Sequence, residues 1–547
     1  MNYGILAWMA VAVVWCLIVS TLHRGISCDE GYYLMGFLRG QNVEGQATDF
    51  HSITRALCRP FADDDIMVFR WMRLLLNVFA LVVFALASFS WLQKQKGLST
   101  SRWLYYPMMA LAGAMSFTFA APTLSYDSIE VVVALLTASL LFVQMATDKA
   151  GLRSVCAFGV GFLLWFAFTN YPPAGIGLSV LFAVVFFIDG KERKGRSVLL
   201  ALLGMAVALV FYHFLIHDLR VWFADIRNVA VTALTEKSPS GHDSDNLVSA
   251  MLKTVGKQLL VLVPIAVLSA LFFRKVRLPE WLLWAVAVVL CLCLLLFRKE
   301  YEYRGTLLLV PVAVMMGKVL AGAAGNVKSY LVSGDFWIAF VMVAVPLAGV
   351  FGTNQAIMTK AVVFTPFWMV AYFLLTSRVE TRQAARLHLI FTAMLLGGYV
   401  YLGNFQRYHC YYTPRSSRYE IVGAKRSQKV LVSEYQQQYY HDVFDSLQVA
   451  GCKPGDLYMA FGENQMAVYL AGGYLTGRIV YHDYQYKSFD ADAPKAFVLF
   501  KCEEENVIKR FRQAEWGFPE TYRRVEMRQM SQNMGDEYRT VIYVKTN

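Results

Sequence analysis

The chain has 547 residues, of which 57% are apolar and only 16% charged. Repeated apolar runs of about 17–22 residues, the length that crosses a bilayer core, exclude an ordinary soluble enzyme and indicate a polytopic α-helical membrane protein. A net charge of +12 would hint at nucleic acid in a soluble chain; here the excess lies in short loops between spans, where it sets topology, and no nucleic-acid partner is expected.

The first run covers residues 5–22. No basic segment precedes it and no small-residue cleavage site follows, so it reads as a retained span rather than a cleaved signal peptide. The loop after it opens with SCDEGYYLMGFLRG, residues 27–40. Asp29 and Glu30 head a helix-like stretch, and the plainer reading makes them first-turn acids, with Asp29 as the N-cap. Tyr32 and Tyr33, one turn on, can share the face of Asp29. Leu34, Met35, Phe37 and Leu38 would hold the helix along the membrane interface. A carboxylate pinned there can meet both a lipid-borne and a water-borne substrate. The remainder, TDFHSITRALCRPFADDDIMVFRWMR (48–73), offers His51, Arg55 and Arg59 to a substrate. The acids at 63–65 point in different directions, so they read as a solvated loop with a helix start rather than a metal site.

About thirteen spans are predicted in all: 5–22, 69–91, 103–121, 128–147, 154–170, 174–189, 197–217, 258–273, 281–297, 306–322, 333–351, 362–377 and 387–404. The short basic loops QKQKGLSTSR (93–102), DGKERKGR (189–196), FRKVRLPE (273–280) and SRVETRQAAR (377–386) are each separated by an even number of spans. They belong on the cytoplasmic side. The N-terminus is then inside and the tail outside.

Two more outer loops carry candidate groups. In APTLSYDSIE (121–130), Asp127 and Glu130 share a helix face at the outer end of the fourth span. Acids near a bilayer core are costly and tend to face a protein interior or a watery cavity; placement in the headgroup zone is the cheaper alternative. In FRKEYEYRG (297–305), Arg298, Lys299 and Arg304 are positive on the side where topology disfavours them. A guanidinium fork suits phosphate oxygens, although local pairing with Glu300 and Glu302 competes. NYPPAG (170–175) is a rigid turn that needs no catalytic explanation.

From residue 405 the composition turns polar. Short β-like runs at 429–435, 456–462, 477–484, 495–501 and 539–545, with a helical stretch at 506–517, suggest a small α/β domain. Two domains follow: a membrane part, 1–404, and an extracytoplasmic part, 405–547. Of nine cysteines, none forms a CxxC pair or a Cys/His cluster with metal spacing. Cys452 and Cys502 are candidates for a disulfide that spacing alone does not establish. There is no Walker A loop, GxGxxG, GxSxG or HExxH, so ATP-driven transport and zinc proteolysis lose support.

The first span followed by an outer DEGYY, the second outer acid in SYD, the many spans and the soluble outer tail together resemble the C-type (GT-C) integral membrane glycosyltransferases. That superfamily contains the protein O-mannosyltransferases and the bacterial lipid A aminoarabinose transferase, and thirteen spans plus a tail is most similar to the latter branch. The resemblance implies a polyprenyl-phosphate-linked sugar donor and a hydroxyl acceptor on a glycolipid, glycan or protein. It implies Asp29 as general base, with Glu30, Asp127 and the tyrosines Tyr32 and Tyr33 orienting acceptor and sugar; Tyr126, Glu130, His51 and Arg55 stand beside them as substrate-binding candidates. Arg298, Lys299 or Arg304 would hold the departing lipid phosphate. Many members of the branch need no metal, and no metal or other cofactor is expected. The expected location is the bacterial inner membrane, with membrane lipids around the spans. Two rivals stand beside this reading: a transporter or flippase of lipid-linked saccharides, which inverted repeats would favour, and a catalytically silent assembly subunit.

Overall fold

The computed structural model describes residues 2–546 except 28, 44–47, 59–64, 99, 119–120, 189–193, 236–243, 276–300, 323–326, 353–356, 378–380, 405–415, 427–429, 481–490, 513 and 528–535. It is a bundle of apolar helices with a small sheet domain at its C-terminal end. Eight helices among the described residues are long and apolar enough to cross a membrane, and three shorter apolar ones accompany them. The chain is an integral membrane protein.

The first helix, α1 (Asn2–Thr21), leads through two short helices, α2 (Glu30–Phe37) and α3 (Phe50–Cys58), to α4 (Ile66–Lys96). Asp65 caps α4 by accepting from the Met67 amide at 3.0 Å, so the acid run does end in a helix start. Then come α5 (Arg102–Ala114), α6 (Tyr126–Ala146), α7 (Ala150–Asn170), α8 (Pro172–Ile188), α9 (Lys194–Leu215), α10 (Leu219–Thr235) and α11 (Ser244–Lys275). The predicted span 281–297 lies outside the described residues. The bundle closes with α12 (Tyr301–Gly322), α13 (Val327–Val332), α14 (Gly334–Gly349), α15 (Ile357–Ala361), α16 (Thr365–Thr376) and α17 (Thr381–Asn404).

The layers follow from which faces are apolar. Helix α16, TPFWMVAYFLLT, is apolar all round and buried along its whole length, as such a helix must be. It packs against α5, α12 and α14. By contrast, α9 and α11 leave Leu199, Phe214, Leu260 and Leu268 exposed, as a face turned to lipid does. Helix α10 falls between the predicted spans 197–217 and 258–273. It forms because Trp222 is buried against Trp165 and Tyr212, a contact between distant segments.

In the C-terminal part, β1 (Tyr419–Glu420) pairs antiparallel with β2 (Leu431–Val432). The main sheet contains β3 (Leu457–Ala460), β4 (Tyr474–Leu475), β5 (Ala496–Phe500), β6 (Tyr522–Glu526) and β7 (Thr540–Lys545), in the order β4-β3-β5-β7-β6. Strand β3 is parallel to both neighbours, while β7 runs antiparallel to β5 and β6. Helices α18 (Glu434–Val449), α19 (Gln465–Leu470) and α20 (Glu504–Phe511) complete it. Phe497 stacks on Phe518 at 4.0 Å between centroids in its core. Strand β6 escaped the sequence reading because three of the five residues of YRRVE are charged; its charged positions face solvent at the sheet edge. Cys452 and Cys502 do not bridge: the first is half-buried and the second exposed.

Candidate active site

The acid pair divides its work. Glu30 is completely buried, and both its oxygens are taken by Arg70 of α4: Nε donates to Oε1 at 2.9 Å and Nη2 to Oε2 at 2.7 Å. Arg70 also donates to the carbonyls of Leu22 and Gly25, at 2.8 and 2.7 Å, and so ties the exit of α1 to the start of α2. Glu30 Oε2 further accepts from the Ser27 amide at 3.3 Å. Asp29 sits at the N-cap position of α2, but in αR conformation and with no capping hydrogen bond from its side chain. The capping role expected for it is therefore not filled. Asp29 is half-buried, while almost all of α2 behind it is buried. Leu34, Met35, Phe37 and Leu38 pack inside the protein core rather than against lipid, correcting the interfacial placement expected for them.

A second acid meets this helix from α6. Ser125 and Ser128 cap α6 reciprocally, which leaves Asp127 for other partners. Its Oδ1 lies 2.7 Å from the Lys360 ammonium. Lys360, on α15, also donates to the Tyr126 hydroxyl at 2.9 Å. Its ammonium sits 4.5 Å over the Tyr126 ring and 5.9 Å from the centroid of Tyr171. The Tyr126 ring lies 6.3 Å from that of Tyr33 and 5.3 Å from that of Tyr171. Burial holds the Tyr33 hydroxyl protonated, and Tyr126, Asp29 and Asp127 push it further the same way. Glu130, one turn below Asp127, accepts from Asn170 Nδ2 at 2.7 Å. Asn170 donates also to the Tyr126 carbonyl, at 2.9 Å. Thus Asp29, Tyr33, Tyr126, Asp127 and Glu130, predicted from distant segments, do converge. Asn170 and Tyr171 join them because the turn at Pro172 ends α7 there.

A neighbouring cluster forms around α3. The His51 ring is buried, 3.8 Å from the Phe50 centroid and 4.9 Å from that of Tyr32. Its Nδ1 lies over Gly36, where a Cβ would collide with it. Neither ring nitrogen has a hydrogen-bond partner among the described residues. Burial drops the His51 pKa well below 6.5, with the Arg55 charge adding to it. Arg55 spends its donors on backbone: Nη2 reaches the Gly36 and Gln41 carbonyls at 2.8 and 2.7 Å. Asp49 accepts from the Tyr212 hydroxyl, from Ser52 Oγ at 2.5 Å, and contacts His217 Nδ1 at 2.8 Å.

Arg298 and Lys299 lie outside the described residues. Arg304 belongs to the first turn of α12. The next residue, Gly305, is packed so closely on α15 that a Cβ would meet the Met358 carbonyl. This puts the start of α12 beside the short helix that carries Lys360. Among the described residues, no three His, Cys, Asp or Glu side chains are grouped to hold a metal ion.

Lys360, Arg70 and Asn170 were not found in the sequence. A signal existed for Lys360: it is a cation in NQAIMTKAVVF, a segment between two predicted spans that the sequence reading puts on the side where topology disfavours one. Arg70 stands next to the apolar run of its own span and there resembles an ordinary flanking charge.

No protein-family model matches the chain, and neither does any curated protein. Among solved structures it is similar to the Archaeoglobus fulgidus oligosaccharyltransferase, crystallised tethered through a disulfide to an acceptor peptide containing the NVT sequon. The identity is 10%, the TM-score 0.43, and the match covers 95% of this chain and 72% of that one.

Proposed function

We propose that this protein is a membrane glycosyltransferase that moves a sugar from a polyprenyl-phosphate-linked donor to a hydroxyl acceptor at the outer membrane face. The observation that carries the reading is the convergence of Asp29, Tyr33, Tyr126, Asp127 and Lys360 where α2 meets the ends of α6 and α15. Asp29 is half-buried, so its carboxylate can face a hydroxyl arriving from water while α2 rests on the bundle. It takes the acceptor proton as that oxygen attacks C1 of the sugar. The bond from C1 to the lipid phosphate breaks with its electron pair leaving on the phosphate. Lys360 offsets charge next to Asp127, and Arg304 at the head of α12 meets the departing phosphate with its fork. Tyr33 and Tyr126 orient sugar and acceptor through their hydroxyls. Glu30 serves by position, since its oxygens are held by Arg70. The acceptor is a glycolipid, glycan or protein, and the membrane is the bacterial inner membrane with the C-terminal domain outside.

The test complements a deletion strain with the wild type or with Asp29→Asn, and reads envelope glycolipids and glycoproteins by mass spectrometry. Asparagine keeps the size but cannot take the proton, and loss of a general base costs about 10²–10⁴-fold in rate. A defined sugar mass should vanish with the deletion and stay absent with Asp29→Asn at normal protein level. Restoration by Asp29→Asn would refute the base assignment. An unchanged envelope in the deletion strain would refute glycosyl transfer itself.

A further inference from the structure

Helix α2 is held from two sides. Arg70 of the bundle grips its first residue, and the C-terminal domain grips the other face and both flanks. Before the helix, the Leu431 amide donates to the His23 carbonyl and the Gly25 amide to the Leu431 carbonyl, both at 2.8 Å. After the helix, the Ile479 amide donates to the Asn42 carbonyl at 3.0 Å. Gln41, buried, bridges the same seam with its whole amide. Its Nε2 donates to the Leu475 and Gly477 carbonyls at 3.1 Å each, and its Oε1 accepts from the Leu475 amide at 2.8 Å.

The first turn of the helix is tied by contact. Gly31 directly follows Glu30, and a Cβ on it would press on the Met466 amide nitrogen and lie 2.5 Å from Met466 Cα. Alanine is the better helix former at an ordinary helical position. Here only glycine lets the backbone of α19 approach.

We propose that the C-terminal domain is a working half of the active site, and that Gly31 and Gln41 are positioning residues that set the Asp29 carboxylate through α2. This rests on the reading of Asp29 as general base. A body stitched to the segments on both sides of an eight-residue helix and packed on its first turn cannot shift without carrying the helix with it. The chemistry is sensitive to such a shift: displacing a catalytic group by about 1 Å costs roughly a hundredfold in rate. The tail thereby supplies what a membrane-surface loop lacks, a rigid second wall behind the base.

The experiment uses the full chain in nanodiscs, as wild type, Gly31→Ala, Gln41→Leu, Gln41→Asn, and Val449→Ala as a control on an 80% exposed side chain. Hydrogen exchange is followed peptide by peptide. Transfer is assayed against pH with envelope membranes of the deletion strain as the source of donor and acceptor. In Gly31→Ala and Gln41→Leu, amides of 30–38 should exchange roughly tenfold faster or more, with α18 and the spans unchanged. Transfer should fall roughly tenfold or more, and the acid limb of its pH profile, which reports the base, should move. Gln41→Asn should fall between, and Val449→Ala should match the wild type. Should Gly31→Ala fail to insert, the Gln41 series decides alone. Wild-type exchange in 30–38, or an unmoved acid limb and rate in Gln41→Leu, overturns the proposal. An active Asp29→Asn would instead remove the base assignment, while the exchange pattern still decides whether the tail clamps α2.

Discussion

Replacing Arg70 alone should damage helix α2 more than replacing both members of the Glu30–Arg70 pair. Each side chain is completely buried, so neither charge can recover hydration when its partner is removed. Truncating one partner of such a pair costs about 3–5 kcal/mol. Glu30→Gln incurs this by leaving the guanidinium facing an amide. Arg70→Met incurs it too, and also strips the donors from the Leu22 and Gly25 carbonyls, at about 1–3 kcal/mol for each oxygen left unpaired. The double variant Glu30→Gln/Arg70→Met removes both charges and retains only the carbonyl loss. Arg70→Met is therefore the worst of the three. Unfolding of so large a chain is not two-state, so the measurement is local opening of α2 by hydrogen exchange. Roughly 3–5 kcal/mol corresponds to about two to four powers of ten in exchange rate. Wild-type exchange in Glu30→Gln, or a double variant worse than Arg70→Met, would show that the pair does not hold the helix.

Lys360→Met should leave Asp127 buried and unpaired, costing about 3–5 kcal/mol, and Lys360→Met/Asp127→Asn should recover much of it; thermal stability in detergent checks both. Arg304→Ala should weaken donor use strongly and Arg304→Lys restore it only in part, because an ammonium lacks the fork; equal donor kinetics in both and the wild type would assign Arg304 to a local pair. His51 is neutral when folded, its pKa lying below 6.5. The unfolded chain takes up that proton first, so the stability contribution is complete above pH 6.5 and is lost as pH falls below it. His51→Leu should flatten that acid limb in a pH series of melting temperatures, and an unchanged limb would remove His51 as its source. Cys502 is exposed, so a membrane-impermeant maleimide should label it in intact spheroplasts if the tail is outside; labelling only after lysis would reverse the topology.

The bundle was legible because crossing a bilayer demands long apolar runs, and those runs stand out at any position in a sequence. Most helices lie within a few residues of the predicted spans: α6 against 128–147, α9 against 197–217. A joint role for Asp29, Tyr126 and Asp127 came from the family resemblance, and the helix ends that bring them together were legible as span ends. What escaped were the partners. Tyr126 and Lys360 are 234 positions apart, and Glu30 and Arg70 are 40 apart. Charge pairing over such separations leaves no periodic trace. Arg55, a candidate substrate ligand in the sequence, also donates through Nε and Nη2 to the backbone carbonyls of Gly36 and Gln41, contacts that no sequence pattern marks. The interface reading of α2 failed for a similar reason. Its apolar face was correctly identified, but a sequence cannot say whether lipid or protein covers it, and here it is protein.

Burial sorts the acids around α2 and the start of α6 by what each can do. Glu30 has both oxygens on a guanidinium and no exposure. Glu130 is buried with one oxygen on Asn170. Asp127, 9% exposed, faces the Lys360 ammonium. Asp29 retains solvent contact, at the head of a helix whose amides it does not cap. A general base must come within about 2.6–3.2 Å of the atom that gives up its proton, and a hydroxyl from water meets an exposed oxygen before a buried one. Chemistry and framework should then separate between two adjacent residues. Asp29→Asn should abolish transfer while α2 exchanges as in the wild type, because asparagine keeps the size and an oxygen that can still accept hydrogen bonds. Glu30→Gln should speed exchange in α2 and reduce transfer in proportion. If Asp29→Asn also loosens α2, Asp29 is part of the frame, and Asp127 becomes the acid to test as base.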